Sequence, residues 1–167
     1  MLKLNILKPS LRALFFVMLL AGLSSCGFHM RSTSDIAFNS IFIQGNTLII
    51  SKNLKKSLTT NGVKVLDSAE GAELLLETVG EENEKRILSL SGRGVVNEFE
   101  LYYRVHYRTK QAGAELWSRV QTVEARRDYS YSDANLLAKQ GEEKRLNENM
   151  QADVLSNLMR RLASLKK

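Results

Sequence analysis

Residues 95–110 read Val-Val-Asn-Glu-Phe-Glu-Leu-Tyr-Tyr-Arg-Val-His-Tyr-Arg-Thr-Lys, or VVNEFELYYRVHYRTK. Phe99, Leu101, Tyr103, Val105 and Tyr107 fall on one side of an extended chain, and Glu100, Tyr102, Arg104, His106 and Arg108 fall on the other. Successive side chains of a strand point to opposite faces, so this alternation predicts a long strand with one face on a core and one face in water. The stretch is bounded by Gly92-Arg93-Gly94 and Gln111-Ala112-Gly113, both read as hairpin turns. A second extended segment therefore precedes it at 72–91 and a third follows at 114–131. In the first of these, the polar middle, Gly80–Lys85, is either a loop or a solvated part of one long strand. In the third, Leu116, Val120 and Thr122 are the residues expected to turn inward.

Working outward, Phe38–Ile43 is a plausible first strand, broken by Gln44-Gly45-Asn46. Residues 47–60 carry Ile50, Leu54 and Leu58 at helical spacing, with Asn46 or Thr47 as the cap and Asn61-Gly62 as the stop. Val63–Leu66 is a short extended piece before the turn-like 67–71. At the other end, residues 132–165 form a long amphipathic helix capped by Ser132. Its stripe is Leu146, Met150, Val154, Leu158, Leu162 and Leu165. The expected fold is α+β, in the order β-α-β-β-β-α. Two helices pack on one face of a small, mostly antiparallel, mixed sheet of about four strands.

The first 37 residues are different. Residues 1–10 are short and basic, 11–23 are apolar apart from Arg12, and the run ends at Leu23-Ser24-Ser25-Cys26. This is the pattern of a secretory signal, and the apolar run is shorter than the roughly 20 residues a membrane span needs. Leu-Ser-Ser-Cys resembles the bacterial lipobox, which implies cleavage after Ser25 and covalent lipid (an S-diacylglycerol group and an N-acyl chain such as palmitate) on Cys26. Two or more acyl chains give stable membrane attachment. Gly27, where a retention signal would place aspartate, implies the outer membrane. The expected organisation is residues 1–25 as a cleaved signal, 26–37 as an acylated anchor and lead, and 38–167 as a single domain.

The formal net charge is +6. Lys3, Lys8 and Arg12 account for half of it, and residues 26–167 carry 21 basic and 18 acidic side chains, net +3. That is too balanced for a dedicated nucleic-acid binder. One cysteine allows no internal disulfide. His29 and His106 have no cysteines or paired carboxylates at metal-ligand spacing, and there is no Gly-x-Ser-x-Gly elbow or phosphate-cradling glycine loop. Glu98 and Glu100 share a strand face, an arrangement more often solvated than catalytic. An enzyme is not expected, and no metal or other cofactor. Binding remains. Tyr102 and Trp117 lie out of phase with the core face, where they either meet a partner or cover sheet surface. Arg93, Arg126-Arg127 and Lys139 are the basic residues placed at turns and element ends.

Cys-Gly-Phe-His-Met-Arg at 26–31, Asn-Gly-Val-Lys-Val-Leu at 61–66 and Leu-Leu-Ala-Lys-Gln-Gly-Glu-Glu-Lys-Arg-Leu-Asn-Glu-Asn-Met at 136–150 resemble the lipopolysaccharide-assembly lipoproteins of the LptE (RlpB) family. The resemblance implies two helices packed on a small sheet and a non-enzymatic lipoprotein anchored in the outer membrane of a Gram-negative bacterium. It also implies a place inside the LptD β-barrel, plugging the lumen, assisting barrel assembly and helping lipopolysaccharide reach the outer leaflet. By the same resemblance Arg93 and Lys139 match the family's lipopolysaccharide-binding residues. This chain departs from the family by carrying glycines on both sides of Arg93 and no Asn-Gly turn there. A secretin pilot or a structural envelope lipoprotein would share the signal and the α+β composition.

Overall fold

The computed structural model describes residues 36–165. Cys26 and the signal segment lie outside the described residues. The elements are β1 (Ser40–Gly45), α1 (Ser51–Thr60), β2 (Lys64–Leu66), β3 (Leu74–Leu90), β4 (Val96–Gln111), β5 (Gln121–Ser130) and α2 (Leu136–Ala163). They make one sheet in the order β2-β1-β3-β4-β5. β1 runs parallel to both its neighbours, and β3, β4 and β5 are antiparallel. The fold is α+β with a mixed sheet. The sheet has five strands, because the short piece at Lys64–Leu66 pairs fully with β1.

One core joins the sheet to both helices. Leu101, Tyr103, Val105 and Tyr107 of β4 are buried with Leu54 and Leu58 of α1 and with Met150, Val154, Leu158 and Leu162 of α2. The strand alternation and the long helix stripe therefore meet as the sequence predicts. Fully burying a Leu or Val side chain stabilises by about 1.5–3 kcal/mol, so these residues set the register of the whole layer.

α1 begins later than its sequence pattern suggests. Residues 48–51 form a turn in which the Ser51 amide donates to Leu48 O and the Ser51 hydroxyl accepts a hydrogen bond from the Leu48 amide at 2.8 Å. Ile50, not Asn46 or Thr47, is the residue before the helix, and no side chain caps it. Asn46 instead donates its side-chain amide to the Val79 carbonyl at 2.7 Å. The predicted stop is present. The Val63 amide donates to Leu58 O and the Gly62 amide to Thr59 O, with Gly62 at φ 83°. That is the Schellman closure, with buried Val63 and Leu58 as its apolar contact.

Of the two readings of Gly80–Lys85, the long strand holds, because β3 is continuous from Leu74 to Leu90. Two other expectations change. The third long strand covers only Gln121–Ser130; Leu116 is 83% exposed, and Val120 and Thr122 also face solvent. Val123, Ala125 and Tyr129 are the inward residues of β5. The segment before it instead crosses beside the end of β4, where the Ser118 amide donates to Thr109 O and the Thr109 amide to the Ser118 hydroxyl. Finally, α2 starts at Leu136 after a 3-10 turn at Asp133–Asn135, and Ser132 makes no side-chain cap bond.

The decisive local feature is a bulge in β3. Thr78 pairs with Tyr107, but Gly80 pairs with the next residue along, His106. The extra residue, Val79, reverses the alternation. Before it, Leu74, Leu76 and Thr78 face the core; after it, Glu81, Asn83, Lys85 and Ile87 sit opposite the inward residues Val105, Tyr103, Leu101 and Phe99. Gly45 lies against this bulge at φ 94°, where a Cβ would overlap the Thr78 carbonyl oxygen.

Candidate anion and lipid-binding cleft

The bulge delivers a lysine to the helix side of the sheet. Lys85 Nζ lies 2.6 Å from Glu143 Oε2 of α2 and 4.1 Å above the centre of the Phe99 ring. It is also 5.5 Å from the centre of the Tyr129 ring. The Tyr129 hydroxyl donates to the same Glu143 oxygen at 2.6 Å. Phe99 stacks tilted on Tyr129 at 5.9 Å and edge-on to Tyr131 at 5.1 Å. Strand β3, strand β5 and helix α2 are thus tied at one point by an ammonium, a carboxylate and three rings.

These contacts shift ionisation in opposite directions. Partial burial pulls the Lys85 ammonium down, but bonding to Glu143 and Tyr129 and their charge outweigh it, so Lys85 lies above its ordinary value. For Glu143, burial pushes up, but the bonds from Lys85 and Tyr129 and the Lys85 charge hold the carboxyl below its ordinary value. Burial and then the bond to Glu143 push the Tyr129 phenol up.

A cleft of about 670 Å³ opens beside this point, between the hairpin end of the sheet and the first turns of α2. Lys85, Lys139 and Lys144 line it, with Val96, Phe99, Tyr131 and Leu136 as its apolar wall. Lys139 Nζ donates to Glu142 Oε2 at 2.8 Å and to the Ser130 hydroxyl at 3.0 Å. Ser130, Glu98 and Ser89 form one row across β5, β4 and β3. The turn that carries Arg93 closes beyond that row, after the Leu90–Val96 pair. Lys139 and Arg93 therefore sit at the same end of the sheet. Arg93 is exposed and makes no ion pair among the described residues. Gly94, at φ 77°, provides the left-handed residue of the turn, and its amide bonds Ser91 O. The surrounding surface is apolar as well as basic, because Ile87, Leu88, Leu90, Val95, Leu136 and Leu137 are all exposed.

The opposite sheet face has another character. Tyr102 lies under three guanidinium groups, those of Arg104, Arg86 and Arg126, at 4.4, 5.0 and 5.9 Å from its ring centre. Arg104 pairs with Glu82, Glu84 and Glu124, and Arg126 with Glu100 and Asp128. Trp117 lies 5.1 Å from the Arg108 guanidinium, which pairs with Glu77. Tyr102 and Trp117 thus cover the sheet, one of the two readings open at the sequence level. Arg126 is committed to this lattice, and Arg127 pairs with Asp153 of α2. His106 Nδ1 pairs with the Thr122 hydroxyl at 2.8 Å, and its Nε2 lies 3.3 Å from Glu82 without hydrogen-bond geometry.

Sequence reading picks out Arg93 and Lys139 but misses Lys85, Tyr129, Tyr131 and Glu143 as neighbours of the same cleft. The hidden bulge is the reason for Lys85, and the packing of α2 on β5 for the others. Among the described residues no group of three or more His, Cys, Asp or Glu side chains is placed to hold a metal ion.

Comparison with known proteins places the chain. Its fold matches an uncharacterized lipoprotein B from Nitrosomonas europaea, solved in solution, with 37% identity over 83% of this chain and 91% of that one and a TM-score of 0.71. It also matches the rare lipoprotein B from Shewanella oneidensis, with 26% identity, 75% and 95% coverage and a TM-score of 0.67. A minor lipoprotein from Acinetobacter baumannii, 18% identical over 77% and 93% of the two chains, shares the fold with a TM-score of 0.61. No curated protein sequence matched the chain. The family model described as LptE, lipopolysaccharide-assembly, matches residues 38–162, which span both helices and all five strands, and this chain belongs to that family.

Proposed function

We infer that this protein is an outer-membrane lipoprotein that binds lipopolysaccharide and works with the LptD β-barrel, plugging it and assisting its assembly and the delivery of lipopolysaccharide to the outer leaflet. The LptE family match carries the reading. The cleft end of the sheet supports it. Arg93, on a hairpin turn, and Lys139, in the first turn of α2, lie at one end of the sheet beside exposed Ile87, Leu90, Val95 and Leu136. A bisphosphorylated, multiply acylated lipid needs both kinds of surface. A guanidinium can hold a phosphate with two parallel bonds, whereas an ammonium acts as a point charge. The protein contributes binding and positioning and no bond-making chemistry.

Cys26 is the attachment point for acyl lipid in this reading, and the anchor replaces a membrane span. No helix of the described residues is long and apolar enough to cross a membrane.

The test is lipopolysaccharide binding by purified protein carrying Arg93→Asp and Lys139→Asp together. The expected result is a loss of binding of about a hundredfold with the thermal melt unchanged, because two charge-assisted contacts become repulsive. Undiminished binding would remove both residues from the site.

A further inference from the structure

Two of the three cleft lysines are held by carboxylates from consecutive positions of α2. Glu142 holds Lys139 at 2.8 Å, and Glu143 holds Lys85 at 2.6 Å. The first pair is local, three residues apart on the helix. The second joins residues 58 apart and fixes the hairpin against α2. Lys144, next along α2, lines the same cleft and makes no ion pair among the described residues.

We propose that Lys85 is a third phosphate-contacting residue of the lipid site, and that Glu142 and Glu143 are competing carboxylates that occupy Lys139 and Lys85 until a phosphorylated, acylated lipid displaces them. This rests on the lipopolysaccharide-binding reading and adds to it a ligand group and a control on affinity. The geometry supports each part. Lys85 opens into the cleft that Lys139 lines. Its ammonium stands over the Phe99 ring, which keeps a cation in place after the carboxylate lets go. An ammonium has three donors and no acceptor. Lys139 spends two of them on Glu142 and Ser130, leaving one for a phosphate oxygen before any pair is broken.

A lipid suits the cleft better than a free anion. Val96, Phe99, Tyr131 and Leu136 wall the cleft beside the lysines, and exposed Ile87 and Leu90 carry the apolar surface past it toward the Arg93 turn. The acids reduce the resting affinity, because each phosphate contact must first replace an ion pair. They also keep two ammonium groups from repelling each other across an empty cleft.

The experiment measures binding of the purified protein to lipopolysaccharide micelles, to the same lipid with its phosphates removed, and to inorganic phosphate. Glu142→Gln should tighten binding to the phosphorylated micelles about threefold, since an exposed ion pair contributes little and its loss frees Lys139. Glu143→Gln should do the same for Lys85 while keeping an oxygen for the Tyr129 hydroxyl. Lys85→Gln should weaken binding about tenfold, and Lys85→Arg should restore most of it. Removing the lipid phosphates should erase the differences among variants. A thermal melt of each variant verifies folding, and Glu142→Gln breaks only the local pair within α2. If both glutamine variants leave affinity unchanged or weaken it, the competition is refuted. If Lys85→Gln binds as wild type while the Arg93/Lys139 double variant does not, Lys85 is outside the site although the lipid reading stands. If inorganic phosphate binds as tightly as the micelles, the site is not a lipid site. If the double variant also binds normally, the underlying reading fails with it.

Discussion

Lys85 of β3 and Glu143 of α2 meet at 2.6 Å, across 58 residues of chain. This pair ties β3 to the long helix, beside the Arg127–Asp153 pair that ties β5 to it, and it stands where the bulge at Val79 turns a polar stretch toward the helices.

The pair makes a pH prediction with a defined sign. The folded Glu143 carboxyl lies below its ordinary 4.5, so its contribution is present above about pH 4.5 and is lost as pH falls through the folded value. The folded Lys85 ammonium lies above its ordinary 10.5, so its contribution is complete below pH 10.5 and is lost as pH rises through the folded value. Urea unfolding of Glu143→Gln should show a loss of about 1 kcal/mol or less at pH 7, because both partners remain partly exposed. The difference from wild type should shrink below pH 4.5. A difference that grows on acidification would contradict the pairing.

Gly45 is required for two separate reasons. Its φ is 94°, and a Cβ there would overlap the Thr78 carbonyl oxygen and approach Thr78 N at 3.1 Å. Gly113 has a similar φ, 80°, with nothing within 4 Å of the added atom. Gly113→Ala should therefore cost about 1–2 kcal/mol from backbone strain alone. Gly45→Ala should exceed it by at least about 1 kcal/mol, since it crowds backbone that bonds Asn46 and forms the bulge. Denaturant midpoints of the two variants decide this; equal losses would mean that the contact relaxes freely.

Arg104 holds three carboxylates and covers Tyr102, and its side chain is 17% exposed. Arg104→Met removes the one cation shared by Glu82, Glu84 and Glu124. It should cost about 2 kcal/mol at low salt, and salt should narrow the gap by screening the acids. Arg86→Met leaves Glu84 paired with Arg104 and should cost less than Arg104→Met. A salt-independent loss at Arg104 would assign its role to packing instead.

The core was legible because its signals are local. The alternation of 99–107 and the four-residue spacing of Met150, Val154, Leu158 and Leu162 each mark one buried face. Asn61-Gly62 named its own Schellman stop. What could not be read depends on pairing between distant strands. The bulge at Val79 is visible only as a register shift against Tyr107 and His106. Without it, residues 80–85 read as merely polar, and Lys85 has no reason to be placed with Lys139. Leu116 and Val120 misled for the converse reason: they are apolar in a segment that crosses the end of β4 and does not pair as strand. Arg93 and Lys139 are picked out by position and their ligand by family resemblance, and the cleft that Lys139 lines with Lys85 needs the fold.

The anchor prediction is simple. Cys26→Ala should abolish labelling by radioactive palmitate, because Cys26 is the acylated residue in this reading. Unchanged labelling would remove Cys26 as the acylation site.

The most direct measurement is co-purification. The full-length protein, with its native anchor, is extracted from membranes in mild detergent and captured by an affinity tag placed after Lys167. The partners are then identified by mass spectrometry. The account predicts an LptD β-barrel in near-equal amount. Recovery of a secretin ring instead, or of no barrel from membranes that contain LptD, would contradict it.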